Sequence, residues 1–209
     1  MGLTPKGQDS QENLATTALR LFRQRGFHGV SISDVCQAAG VTKGALYHHF
    51  KSKEELYYRA VGLHFNDLAA LPAWIERIPE NRIEELIRSG FASILESKKA
   101  IASRVGSSSD DAILRYYTFL YEATRRFPEF QQRIDAYDAQ KQAELARRFR
   151  LAQQATLMRA DINPEALAME FEALLQQLTY LSFVNPRLKG NPEILASLQE
   201  NFLLRVSPA

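Results

Sequence analysis

Residues 31–56 read SISDVCQAAGVTKGALYHHFKSKEEL, and this stretch decides the fold. Ser33 and Thr42 each stand where a hydroxyl can cap the start of a short helix. Gly40 lies between the two helices and permits a tight turn. The sequence therefore predicts a helix-turn-helix pattern. The two predicted helices cover about 34–39 and 43–50.

The side chains of this pattern divide into an inner and an outer set. The apolar set is expected to pack against the preceding helix: Val35, Val41, Leu46 and Phe50. The polar or helix-start set stays outside: Thr42, Lys43, Gly44, Tyr47, His48 and Lys51. A short helix that presents hydroxyls, cations and a phenol suits docking in a major groove, and its N-terminal amides suit a phosphate.

The rest of the chain is also predicted to be helical. We expect a first helix over about 10–25, opened by a capping box of Asp9 and Glu12, and a longer helix over about 53–68. No stretch has the alternation and turn residues of a β-hairpin. Segment 98–109 is expected to be a short helix followed by a loop. Further predicted helices cover about 81–97, 110–126, 128–159, 164–184 and 191–205.

Composition limits the class of protein. Hydrophobic residues make up 45% and charged residues 24% of the 209-residue chain, which excludes disordered and collagen-like proteins. No apolar run approaches the roughly 18 residues of a membrane span, and the first residues are too polar for a secretory signal. Cys36 is the one cysteine, so a reducing compartment fits. We expect a cytoplasmic protein with no membrane partner, in which Cys36 is a small buried residue.

The net charge of +2 is unevenly distributed. Residues 1–64 hold eight Lys and Arg and five Asp and Glu, a balance of +3, while the remainder carries −1. All four histidines also lie in the first part. An anionic partner is therefore expected at the N-terminal part of the chain.

Residues 12–58 resemble the DNA-binding domain of the tetracycline-repressor (TetR) family of bacterial transcription regulators. The strongest likeness is VTKGALYHHFKSKEEL at 41–56, and ALRLFRQRGF and GVSISDVCQAAG also match. The resemblance implies an all-α chain with an N-terminal three-helix helix-turn-helix domain and a C-terminal helical domain for ligand binding and dimerisation. We expect the helix-turn-helix domain at 1–52, with its motif at about 33–50, a connecting helix at 53–68 and the C-terminal domain at 69–209.

The resemblance also implies roles for matching positions. Ser31 and Ser33 stand where family members contact phosphates or cap the second helix, and Lys53 matches a frequent phosphate contact. The expected recognition helix presents Thr42, Lys43, Gly44, Tyr47 and His48. The implied partners are a double-stranded DNA operator, a second copy of the chain and a small-molecule effector of unknown identity.

The helix predicted over 110–126 is unusually aromatic. By resemblance, it and its neighbours surround an effector pocket, and an apolar or aromatic effector is expected. A plain aromatic core is the alternative for each residue. The expected ligand-binding residues are Tyr116, Tyr117, Leu120, Tyr121, Thr124, Phe171 and Tyr180.

The last two predicted helices carry more apolar surface than one internal contact needs. By resemblance to the family, two such helices from each of two chains are expected to form a four-helix dimer interface. The alternative is that both helices only close the core of one chain. The expected interface residues are Leu174, Leu178, Leu181, Leu195, Leu198 and Phe202.

Two other classes of protein compete with a DNA-binding regulator. For an enzyme, the sequence offers no nucleotide-binding glycine motif, no metal-ligand spacing and no Ser/His/acid set, so we expect no catalytic residues, no metal and no cofactor. His48 and His49 are adjacent and point apart on a helix, which disfavours a shared metal. A helical adaptor that binds protein without effector control is the remaining alternative, and a DNA partner would be recognised by binding that weakens with salt.

Overall fold

The computed structural model describes residues 5–65, 71–105, 109–188 and 191–208, without the side chains of residues 5–8, 105, 110 and 112. Every regular element within these ranges is a helix, which confirms the all-α prediction. The helices are α1 (Pro5–Arg25), α2 (Ile32–Ala39), α3 (Lys43–His49), α4 (Lys53–Phe65), α5 (Ala73–Glu76), α6 (Ile83–Val105), α7 (Asp110–Arg126), α8 (Pro128–Gln154), α9 (Pro164–Val184) and α10 (Pro192–Val206).

The chain divides into two compact units. Unit 1 consists of residues 1–69 and 102–134, and unit 2 of residues 70–101 and 135–209. Unit 1 thus adds α7 and the start of α8 to the sequence predicted for the helix-turn-helix domain and its connecting helix. Counted on the sequence, unit 1 has thirteen Lys and Arg against ten Asp and Glu, a charge of +3, and unit 2 has −1. The functional boundaries at 52 and 68 stay predictions, and residues 66–68 lie outside the described ranges.

Two predicted helix starts near the N-terminus are wrong. α1 begins at Pro5, so Asp9 and Glu12 lie inside the helix and do not form its capping box. α2 begins at Ile32, and its cap is Ser31 instead of Ser33. Ser31 Oγ accepts from the backbone N–H of Asp34 at 3.1 Å, and the Asp34 carboxylate accepts from the backbone N–H of Ser31 at 2.7 Å. This reciprocal capping box satisfies two donors, which a cap at Ser33 would not do.

The middle of the chain differs from prediction at two helix ends. α6 continues to Val105, so the expected short helix from 98 is the last part of one long helix, and residues 106–108 of the expected loop lie outside the described ranges. α8 ends at Gln154 instead of 159. Thr156 has φ of 58°, and the backbone N–H of Leu157 returns to the carbonyl of Ala152 at 2.9 Å, which terminates the helix.

Unit 2 is built around Phe171 of α9, whose ring is fully buried. Its nearest ring is Phe202 of α10, with centroids 4.8 Å apart, and Phe149 of α8 lies at 6.2 Å. A Cβ on Gly90 of α6 would come within 2.7 Å of the Phe171 ring, so this close approach of α6 requires glycine. The predicted caps of the two last helices are confirmed, since Asn163 and Asn191 accept from the N–H groups of Ala166 and Ile194.

Unit 1 joins α1, α2, α3, α4 and α7 through an aromatic core. Tyr57 of α4 is fully buried, and its ring centroid lies 4.8 Å from that of Phe22 and 4.9 Å from that of Phe27. Phe119 of α7 contacts the same ring at 6.1 Å. No helix in the described ranges is long and apolar enough to span a membrane.

Candidate nucleic-acid interface

The α2–turn–α3 segment has the geometry of the predicted helix-turn-helix. Gly40 ends α2 in the left-handed region with φ of 68° and ψ of 30°, where a side chain would be strained. The next N–H, of Val41, donates to the carbonyl of Cys36 at 3.0 Å. Thr42 then caps α3 by accepting from the N–H of Ala45 at 3.2 Å, as predicted. Local sequence alone therefore fixes the turn and the start of α3.

The inner face of this segment is buried and its outer face is exposed to solvent. Val35, Leu46 and Phe50 are almost completely buried in unit 1. On the outer face, Tyr47 exposes 51% of its surface. The other predicted recognition residues are also exposed: Thr42, Lys43, Gly44 and His48. The structure thus brings these predicted residues together on one short helix and its cap.

The flanking predicted residues have different surroundings. Ser31 is exposed but is engaged in the α2 cap, and Ser33 is exposed on the first turn of α2. The Asp34 carboxylate has a lowered pKa, first because it accepts hydrogen bonds from Ser31 and then because Arg25 lies beside it. In the described part of the chain, the Lys43 and Lys51 ammonium groups form no ion pair. These two cations are therefore available to an external anion.

Lys53, the predicted phosphate contact, lies at the start of α4 beside a buried ring. Its Nζ is 4.3 Å from the centroid of Phe27, and Cζ of Arg126 is 4.0 Å from the same centroid. Hydrogen bonds at the start of α4, followed by the charges of Arg126 and Lys53, lower the pKa of the neighbouring Glu54. Arg126 was not among the predicted site residues, since its position beside α4 depends on the packing of α7.

Two residues near the motif have structural roles. Cys36 is a free, buried cysteine, as predicted. His49 is half-buried, and its carbonyl accepts from the Gln11 side chain at 3.4 Å. Among the described residues, no cluster of three or more His, Cys, Asp and Glu side chains could hold a metal ion.

A buried polar chain connects α1, α4 and α7. His64 is buried, with its Nδ1 2.7 Å from an Arg23 guanidinium nitrogen and its Nε2 3.3 Å from the Tyr116 hydroxyl. Burial, and then the charges of Arg23 and Arg104, lower the pKa of His64 to about 3. The imidazole is therefore neutral at neutral pH. Burial raises the pKa of the Tyr116 phenol, which keeps it protonated.

The predicted ligand residues fall in both units. In unit 1, Tyr116 is buried, Tyr117, Leu120 and Thr124 are half-buried, and Tyr121 exposes 65% of its surface. Thr124 Oγ1 donates within α7, to the carbonyl of Leu120 at 3.2 Å. In unit 2, Phe171 is the centre of the aromatic core and Tyr180 is half-buried. Ligand binding by these residues stays a prediction.

The predicted interface residues lie on α9 and α10 of unit 2. Leu178 and Phe202 are buried in the core of the unit. Four others are only partly buried against that core: Leu174, Leu181, Leu195 and Leu198. Met169 of α9 and Leu204 of α10 are exposed. These two helices therefore retain apolar surface outside the core of unit 2.

Unit 2 also contains a buried ion cluster that was not predicted from the sequence. The Lys141 ammonium on α8 contacts the Glu172 carboxylate on α9 and lies 3.0 Å from the Asp138 carboxylate. Burial alone would lower the pKa of Lys141, but the hydrogen bond and charge of Glu172 outweigh it and raise the pKa. The sequence did hold one signal for this cluster. Glu172 follows Ala168 by four positions on α9, so both side chains lie on the same buried side of the helix.

Residues 14–60, which contain this motif, match the sequence profile described as bacterial regulatory proteins, tetR family. Residues 14–60 are therefore similar to the helix-turn-helix region of that family. The chain is 42% identical over 52 residues to the transcriptional regulator AcrR of Shigella flexneri, covering 25% of the chain and 24% of AcrR. The chain's matches span about a quarter to a third of the length of the first curated relatives.

Longer matches of the chain are more distant in sequence. The transcriptional repressor AcnR of Corynebacterium efficiens is 26% identical over 192 residues, covering 91% of this chain and 90% of AcnR. The crystal structure of NalD, the secondary repressor of the MexAB-OprM multidrug efflux pump in Pseudomonas aeruginosa, aligns with a TM-score of 0.63. That alignment covers 98% of both chains at 21% identity, so it supports the fold alone.

The buried imidazole predicts a pH dependence of stability. An unfolded histidine titrates near pH 6.5, and His64 in the folded chain titrates near pH 3. Between these values the unfolded chain binds one more proton, so the stability contributed by neutral His64 is complete above about pH 6.5 and is lost as the pH falls. From pH 7.5 to pH 5 the loss is about 2 kcal/mol, which urea unfolding at the two pH values measures.

The matched variants for this measurement are His64→Gln and His28→Gln. Gln keeps hydrogen-bonding capacity at position 64 but does not titrate. The loss of stability between pH 7.5 and pH 5 is therefore expected to be smaller in this variant than in wild type. His28 is exposed, and its replacement leaves the wild-type loss unchanged. If wild type and His64→Gln lose equal stability between pH 7.5 and pH 5, His64 is not the source of the pH dependence.

Proposed function

We propose that this chain is a DNA-binding transcription regulator that acts as a homodimer on a palindromic operator, represses transcription and is released by a small effector. The observation that carries the proposal is the exposed outer face of α3 above a sealed inner face, in a segment that matches the family profile. AcnR and NalD are repressors, which supports the sign of regulation.

The roles of individual side chains follow from their chemistry. Thr42, Lys43 and Gly44 form the start of α3, where backbone N–H groups and the helix dipole favour a phosphate or a base edge. Tyr47 and His48 follow on the exposed surface of α3. Tyr47 donates its hydroxyl to a phosphate, and Lys43 supplies a positive charge that carries no fixed geometry.

Replacement of recognition residues is expected to weaken operator binding. Because a hydrogen bond to a charged group is worth about 1.5–3 kcal/mol, Lys43→Ala and Tyr47→Phe each raise Kd about tenfold or more. Lys43→Ala also lowers the slope of log K against log salt by about one. Fluorescence anisotropy on fragments of the DNA flanking the gene, at several salt concentrations, gives both quantities.

Lys99→Ala is the matched control, since it removes an exposed lysine of unit 2 and changes the net charge equally. Its affinity and salt slope are expected to equal those of wild type. Unchanged binding by Lys43→Ala and Tyr47→Phe would exclude α3 as the recognition helix. Wild type that binds no flanking fragment would count against DNA regulation and favour the protein-binding alternative.

The dimer is proposed to form through α9 and α10. The partly buried leucines at 174, 181, 195 and 198, with the exposed Met169 and Leu204, leave apolar surface that a second copy can cover. Two recognition helices are needed because one covers only a few base pairs, and a two-fold axis matches them to a palindrome.

Sedimentation equilibrium at micromolar concentration is expected to give twice the 23.7 kDa mass of the chain. Leu198→Glu places a charge among the apolar residues of α10, so the mass falls to that of one chain and operator binding weakens. Leu114→Glu, at an exposed leucine of α7, leaves the mass unchanged. A wild-type mass of one chain would refute the dimer.

The effector is proposed to be apolar or aromatic and to contact the inward side of α7. Tyr116, Tyr117 and Leu120 supply ring and methyl surface there, and Thr124 a hydroxyl. α7 also packs directly on the connecting helix α4, through the Phe119 contact with Tyr57 and the Tyr116 contact with His64, and it contacts α1. Effector binding at α7 would therefore favour one of two arrangements of α1 and α4.

A panel of planar aromatic and alkyl compounds can be screened by thermal shift and by release of bound DNA. For a compound that acts, Tyr117→Phe is expected to reduce the response severalfold, because it removes one phenol from the half-buried side of α7. Tyr121→Phe changes the exposed side of the same helix and is expected to preserve it. Equal effects of the two variants, or no stabilising compound, would contradict this placement.

A further inference from the structure

The end of α7 and the start of α4 bring positive charges around one ring in unit 1. Lys53 Nζ and Arg126 Cζ lie 4.3 Å and 4.0 Å from the centroid of Phe27. The two charges are therefore within about 8 Å of each other, although 73 positions separate them in sequence. Phe27 is buried, so the ring holds both cations at a fixed place on unit 1.

A cleft of about 380 Å³ lies beside this ring. It is lined by His28, which follows Phe27 in sequence, and by Glu122, Arg125 and Arg126 of α7. The Glu122 carboxylate is already engaged, since it accepts from the backbone N–H of Phe27 at 3.3 Å. Arg125 is exposed, and within the described ranges it forms no ion pair. The cleft thus offers two guanidinium groups to an anion.

The place of the cluster in the fold indicates which anion. Lys53 follows the last residue of α3 by only four positions and is the phosphate contact that the family resemblance predicts. Arg125 and Arg126 add positive charge from α7, a different element. Several cations spread over two helices match a row of backbone phosphates better than one small ion, and guanidinium groups bind phosphate with two parallel hydrogen bonds.

We propose that Arg125 and Arg126 bind backbone phosphates of the operator beside the phosphate bound by Lys53, so that α7 contributes DNA contacts from outside the helix-turn-helix motif. The inference rests on the proposed DNA-binding function. It adds a direct consequence for regulation. A shift of α7 on effector binding would remove phosphate contacts even before the recognition helices change their spacing.

The test is the salt dependence of binding by charge-neutral variants. Arg125→Gln and Arg126→Gln are each expected to weaken operator binding several-fold and to lower the salt slope by about one. Arg126→Lys keeps the charge and is expected to retain the wild-type slope. Arg115→Gln is the control on the same helix, because Arg115 is exposed and paired with Asp111. Its slope is expected to be that of wild type.

The outcomes separate this inference from the proposed function. If wild type binds DNA and Lys43→Ala weakens it, while Arg125→Gln and Arg126→Gln keep the wild-type slope, the inference is overturned and the proposed function stands. If wild type binds no DNA, both the inference and the proposed function are contradicted.

A free phosphate ion could bind the same guanidinium groups as a DNA backbone phosphate. A measurement with inorganic phosphate distinguishes these two ligands. Replacing chloride by phosphate at equal ionic strength is expected to change the Tm of wild type and Arg125→Gln alike. A rise in Tm that Arg125→Gln abolishes, with unchanged DNA slopes, would assign the cleft to a free anion and overturn the inference.

Discussion

The ring of Tyr57 fills the space where α1, the segment after it and α7 meet. It is fully buried against Phe22 and Phe27, and Phe119 and Phe127 of the later chain contact it at 6.1 and 5.8 Å. Aromatic rings at these distances contribute both buried apolar area and favourable edge contacts. Among the described residues the Tyr57 hydroxyl has no hydrogen-bond partner, so its contribution to packing is that of a large apolar side chain.

This packing constrains how the helix-turn-helix segment can respond to the rest of unit 1. Leu46 and Phe50 on the inner side of α3 are buried, α3 contacts α2, and α1 packs on both α2 and α4. α7 holds α1 and α4 through rings, through Glu122 on the Phe27 backbone and through the contacts of His64. Close-packed interiors transmit displacement instead of absorbing it. A displacement of α7 is thus opposed by the same contacts that would carry it to α3.

Structural features that depend on residues close together in the chain could be predicted from the sequence. Gly40, Thr42, Asn163 and Asn191 act on backbone groups within a few positions, so the turn and three helix starts could be predicted. Two hydroxyls competed for the α2 cap, and the choice of Ser31 follows from an acidic residue three positions later, a signal that was present but was not used. The outward placement of the α3 residues followed from the spacing of the buried ones.

Features that depend on contacts between distant segments could not be predicted from the sequence. The end of α6, the addition of α7 to unit 1 and the buried Lys141–Glu172 pair all depend on contacts between residues far apart in the chain. Arg126 is the clearest case in the candidate site, because nothing in its own neighbourhood in sequence indicates that it lies beside Phe27. The sequence indicated that α7 is unusually aromatic but could not say which helices it packs against.

The composition of unit 1 has a consequence for moving the helix-turn-helix to another protein. A chimera joined after α4 would leave behind residues 102–134. Phe22, Phe27 and Tyr57 would then meet a foreign helix surface in place of Phe119 and Phe127. The transferable piece of this chain is discontinuous, so a functional graft has to carry two segments or redesign the aromatic contacts between them.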